Sequence, residues 1–88
     1  MEKELMYLIE KLINQKIEKD ENFLRFTFYE VRVKGKVTEK EENNFLILAK
    51  NKLNNMGYIV YLQDQEFIYN GARIKVQPNE LLIAIKER

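Results

Sequence analysis

The chain has 88 residues, 45% of them hydrophobic and 33% charged, with a formal net charge of +1. This is the size and balance of one folded domain, not of a disordered segment, and the near-neutral total excludes a strong global field for nucleic acid or acidic membranes. It contains no cysteine, histidine or tryptophan, which excludes a disulfide framework, thiolate metal sites and the commonest proton carrier near neutral pH.

Residues 2–18 have helical spacing. Leu5, Leu8, Ile9, Leu12 and Ile13 recur at steps of three and four, and Met6 and Ile17 widen the stripe to about half the circumference. A stripe that broad is read as deep docking onto a sheet, or as a flank at which Met6, Ile13 and Ile17 meet a second subunit or partner. Tyr7 falls on the polar side. Acids mixed among the apolar positions argue against a signal peptide.

Residues 23–34 are expected to form one long strand. Leu24, Phe26 and Phe28 alternate with Arg25 and Thr27, and then the parity changes to Tyr29, Val31 and Val33. One extra residue at 28–29, a β-bulge, would keep a single buried face and re-aim Tyr29. The competing reading is a strand that buries its other face further on.

Thr38 and Glu41 make a capping-box spacing ahead of a second helix. Phe45, Leu48, Ala49, Leu53 and Met56 form its apolar face, Ile47 points away, and Gly57 is the expected stop. Tyr58–Leu62 is strand-like. Asn70-Gly71 predicts a type I′ hairpin turn, with Tyr69 opposite Ala72, Ile68 opposite Arg73, Phe67 opposite Ile74 and Glu66 opposite Lys75. Pro78 opens a second turn. Leu81–Ile85 is apolar on both parities, which places that strand inside a sheet.

The predicted architecture is a single α+β domain over 1–88. It is a two-layer sandwich with two amphipathic helices on one face of a four- or five-stranded, mostly antiparallel sheet. The order is α-β-α followed by three or four strands. The first strand, the capped helix and Tyr58–Leu62 fit a crossover unit with parallel strands; the strand order is left open.

The chemistry is sparse. The chain has no serine, and Thr27 and Thr38 are its only threonines. No Gly-rich phosphate loop or metal-ligand spacing appears. No catalytic residue, metal, cofactor or small-molecule ligand is expected, and the chain is read as non-enzymatic. Its longest purely apolar runs are five residues, far below the ~20 needed to span a bilayer, so no membrane partner is expected and the cytoplasm is the expected compartment.

Two binding readings remain. Five tyrosines are more than so small a core can hold, and tyrosine is enriched in interfaces. The leading expectation is therefore a protein-interaction module, binding a protein partner or itself as a homodimer, through Met6, Tyr7, Ile13, Ile17, Tyr29 and Ile47. The alternative is weak, sequence-independent nucleic-acid binding. Residues 23–37 carry Arg25, Arg32, Lys34 and Lys36 against Glu30 alone, a local +3. Arg73 and Lys75 would extend that basic face if the hairpin lies alongside. In size and cysteine-free composition the chain resembles small proteins of phages and other mobile elements. No motif carries that resemblance and no residue role follows from it. It implies an accessory or inhibitory protein acting on a larger host or phage machine.

Overall fold

The computed structural model describes residues 2–86. Two helices pack with five strands, all paired antiparallel, in an α+β fold. Helix α1 spans Glu2–Lys19. It buries Leu5, Ile9, Leu12 and Ile13, with Met6, Leu8 and Ile17 partly buried against the same core. Helix α2 spans Glu39–Asn55 and buries Phe45, Ala49 and Leu53.

Both ends of α2 are closed as the sequence predicts. Thr38 Oγ1 accepts from the Glu41 amide at 3.3 Å, and the Glu41 carboxylate accepts from the Thr38 amide at 3.1 Å. At the other end Gly57 takes φ 94°. Its amide bonds to Asn54 O, and the Tyr58 amide bonds to Leu53 O. These are the paired bonds of a Schellman stop, which favours glycine at the left-handed position. Buried Tyr58 then donates its hydroxyl to Glu21 O at 2.6 Å, tying this junction to the end of α1.

Strands β1 (Phe23–Thr27), β2 (Ile59–Leu62) and β5 (Glu80–Ile85) form a three-stranded sheet in the order β1-β5-β2. Both neighbours run antiparallel to β5. Strands β1 and β2 are therefore parallel to each other, and the crossover through α2 passes over an intervening strand. Every residue of β5 is buried, as its double-parity apolar pattern requires. Leu82 and Ala84 pack with Leu24, Phe26 and the helices, whereas Ile83 and Ile85 belong to a second cluster. The β1–β5 register skips Leu81, pairing Phe26 with Leu82 and Thr27 with Glu80. That extra residue lets Leu81 join the helix-side core together with Leu82.

Strands β3 (Glu66–Tyr69) and β4 (Ala72–Lys75) pair in the predicted register. Asn70 and Gly71 both take positive φ, 52° and 81°. The hairpin does not extend the first sheet but stands as a two-stranded sheet of its own. Phe67 and Val76 pack on Ile83 and Ile85, with Phe23, Tyr61, Tyr69 and Ile74 around them. Tyr61 and Phe67 stack at 4.2 Å. The reason lies in β5: a strand apolar on both faces needs cover on both, and the helices supply only one.

The long first strand does not form. β1 ends at Thr27, and Tyr29–Lys34 is a π-helical turn. Neither the bulge at 28–29 nor the change of buried face occurs.

Candidate protein-interaction face

The break after Thr27 is built from local hydrogen bonds. Thr27-Phe28-Tyr29-Glu30 has the same Thr-x-x-Glu spacing as Thr38–Glu41. Thr27 Oγ1 accepts from the Glu30 amide at 3.2 Å, and Glu30 Oε1 accepts from the Thr27 amide at 3.1 Å. These reciprocal bonds satisfy the Thr27 and Glu30 amides locally, within the turn itself. The Gly35 amide then bonds to Glu30 O at 2.9 Å, the five-residue reach of a π turn.

The turn presents distinct rows. Val31 points inward and is fully buried. Glu30 faces α1, where Lys16 Nζ lies 2.7 Å from its Oε2. Burial pushes the Glu30 carboxyl up, but the Lys16 and Thr27 bonds outweigh it and hold its pKa below the usual glutamate range. Phe28 and Arg32 face α2. Arg32 grips the Glu42 carboxylate through two nitrogens, one at 3.0 Å, and its guanidinium lies 4.7 Å from the Phe28 ring centre. Tyr29 and Val33 form the outer row, 60% and 58% exposed, with Lys34 Nζ 6.0 Å from the Tyr29 ring centre.

Beside this turn lies an open pocket of about 360 Å³. Phe28, Leu46, Leu62 and Leu81 supply its apolar lining, and Glu39, Glu42, Asn43 and Gln63 its polar members. The face thus combines an exposed Tyr/Val ridge, an apolar pocket, and the Arg32–Glu42 pair at their border. Its inner side is fixed, so the exposed side chains stand on a rigid base.

The other predicted contact residues are scattered. Tyr7 is 72% exposed on α1, next to half-buried Met6. Ile13 is buried in the chain's own core and Ile17 packs against it. The broad stripe of α1 is largely consumed by packing: Leu8 approaches Gly35 of the turn, and Glu10 pairs with Lys52 of α2. Ile13 therefore offers no surface to a partner. Ile47 is exposed on α2.

The single basic stripe is also absent, because the strand meant to carry it stops at Thr27. Arg25 stays on β1, 2.6 Å from the buried carboxylate of Glu80. Arg32, Lys34 and Lys36 move to the turn and the residues after it. Arg25, Arg73 and Lys75 do come together, lining a groove of about 470 Å³ with Gln77, Asn79 and Glu80. Arg73 has Glu66 at 3.9 Å.

Sheet edges are partly closed. β1 and β2 flank β5 with no further strand beside them among the described residues. At each edge a side chain takes an outward amide: Glu30 that of Thr27, and Gln65 that of Leu62 at 2.7 Å. Such plugs discourage strand addition. Among the described residues no group of three or more acidic side chains is placed to hold a metal ion, and no helix is long and apolar enough to cross a membrane.

The sequence does not show that Arg32, Phe28 and the pocket around Leu46 lie together. The available signal was the second Thr-x-x-Glu. Comparison with family models, curated proteins and solved structures finds no match to this chain.

Proposed function

We propose that this chain is a small non-enzymatic protein-interaction module that makes its contact through the Tyr29–Lys34 turn and the adjoining pocket. One observation carries the reading: Tyr29 and Val33 are held out to solvent by a turn whose other rows are anchored by Lys16–Glu30, Thr27–Glu30, Arg32–Glu42 and buried Val31. Exposed apolar side chains on a pre-ordered base lose little entropy on binding. Tyrosine and arginine are enriched in interface cores. In this reading the protein is an accessory factor that works by occupying a site on its partner. A chain without cysteine makes no use of an oxidising compartment, and the cytoplasm is the compartment taken.

A photo-crosslinking residue at position 29, with position 68 as an exposed control on the hairpin, tests the reading in lysate of the producing cell. A discrete adduct from position 29 and none from 68 is expected. No adduct from 29, or equal smears from both, would overturn it.

A second reading is favoured by the convergence of Arg25, Arg73 and Lys75 in one groove: weak, sequence-independent binding of single-stranded nucleic acid. Three phosphate contacts would give log K a slope of about −2 against log salt. No binding to a mixed-sequence oligonucleotide at low salt, or no effect of Arg73→Glu, removes this reading.

A further inference from the structure

We propose that the occupant of the pocket is a second copy of this chain, in a two-fold dimer in which Tyr29 and Val33 of each copy enter the Phe28–Leu46–Leu62–Leu81 pocket of the other. This rests on the interaction-module reading above and names its partner. The exposed row of Tyr29 and Val33 adjoins the Phe28 and Arg32 row of the same turn; Phe28 lines the pocket and Arg32 holds Glu42 on its rim. A face carrying both a projection and its receptacle side by side can close on itself by a two-fold axis, each copy giving what it receives.

Charge supports the same occupant. The pocket rim carries Glu39 and Glu42, and Arg32 already holds Glu42. Glu39 also acts on the Arg32 guanidinium, so one cation serves two rim carboxylates and the rim keeps an excess of negative charge, while among the described residues no carboxylate pairs with Lys34. An incoming ridge brings Lys34 beside Tyr29 toward that acidic rim. In a two-fold dimer this Lys34–Glu39 contact occurs twice. The Arg32–Glu42 pair, lying between ridge and pocket, is neutral as a unit, so the two pairs meet near the axis without net repulsion. Edge-to-edge sheet pairing fits less well, because Glu30 and Gln65 occupy amides at the two open edges.

The test is sedimentation equilibrium of the full chain from roughly 1 µM to 1 mM, the range that resolves weak association. Wild type should show a concentration-dependent monomer–dimer equilibrium. Tyr29→Ser should weaken it more than about tenfold, because a central aromatic is lost at two symmetric places. Lys34→Glu and Glu39→Lys should each weaken it about fivefold. The double variant Lys34→Glu/Glu39→Lys should recover most of that loss, since opposite charges again face each other. Ile68→Ser, on the exposed hairpin side, should change nothing. Circular dichroism of each variant checks that it is folded.

A chain monomeric throughout, a dimer indifferent to Tyr29→Ser, or a charge-swapped variant no better than the single ones would overturn the proposal. Crosslinking at position 29 separates the two levels. A monomeric chain that forms a discrete adduct with a different protein overturns the second-copy occupant and leaves the interaction module standing. A monomeric chain with no adduct overturns both.

Discussion

Lys16 of α1 and Glu30 of the π turn form an ion pair at 2.7 Å, with both side chains half-buried. The same carboxylate takes the Thr27 amide. One side chain thus ends β1, closes its edge and fastens the turn to a helix.

The Glu30 link makes stability depend on acid. Its folded pKa lies below the usual glutamate range because the Lys16 and Thr27 bonds outweigh the upward push of burial. A depressed carboxyl pKa adds stability above the unfolded value, about 4.3. That stability is lost as pH falls through the lower folded value. Glu30→Gln keeps an acceptor for Thr27 but removes the charge. The variant should cost about 1 kcal/mol at pH 7, a small value because the pair is only partly shielded from water. Urea unfolding measured from pH 7 to pH 3 should show wild type and variant converging at the acid end. Parallel profiles would remove Glu30 as the titrating anchor.

Gly35 should resist replacement for a packing reason. Its φ is −85°, open to any residue, and glycine-to-alanine at such a site ordinarily stabilises by restricting the unfolded chain. Here a Cβ would meet Leu8 Cδ2 at 2.6 Å and the carbonyl oxygens of Val31 and Glu30 at 2.9 and 3.2 Å. Gly35→Ala should therefore destabilise by about 1–3 kcal/mol. Leu8→Ala combined with it should cost less than the sum of the two by about 0.5–1 kcal/mol, because they share one contact. Simple additivity would place the whole obstruction in the backbone.

The hairpin should open before the rest of the molecule. No ladder joins β3–β4 to the three-stranded sheet among the described residues. Its attachment is the side-chain cluster of Phe67, Val76, Ile83 and Ile85, with Tyr61 stacked on Phe67. Phe67→Ala should cost about 3–4 kcal/mol. In hydrogen exchange the β3 and β4 amides should lose protection well before those of β5. Uniform loss across both sheets would show that hairpin and sheet open as one unit.

Much of this architecture is written locally. Thr38–Glu41, Gly57 and Asn70-Gly71 each specify a backbone conformation through their own chemistry, and each occurs where its signal lies. Leu81–Ile85 reads as a strand covered on both faces, but what covers the second face is a tertiary matter. The hairpin's alternating pattern serves equally well as an added strand or as a separate layer. The stretch 23–34 shows the opposite failure. Its alternation of apolar residues spells a strand, while Thr27 and Glu30 carry a capping signal of the same form as Thr38 and Glu41. Because the chain turns after Thr27, cations adjacent in sequence separate. Arg25, Arg73 and Lys75, distant in sequence, meet instead.

The rows of the turn should be separable by substitution. Tyr29 and Val33 stand in solvent and pack nothing essential, so Tyr29→Ser and Val33→Ser should each change unfolding free energy by no more than about 0.5 kcal/mol. Val31, between them in sequence, is fully buried, and Val31→Ala should cost about 2 kcal/mol from lost methyl burial and the cavity it leaves. A continuous strand with a bulge at 28–29 makes a different prediction, since Val31 and Val33 would share one buried face and respond alike. Chemical denaturation of the three variants distinguishes the two. Equal costs at 31 and 33 would contradict the π turn. A large cost at 31 alone confirms it, and leaves the outer pair free to be altered for association without disturbing the fold.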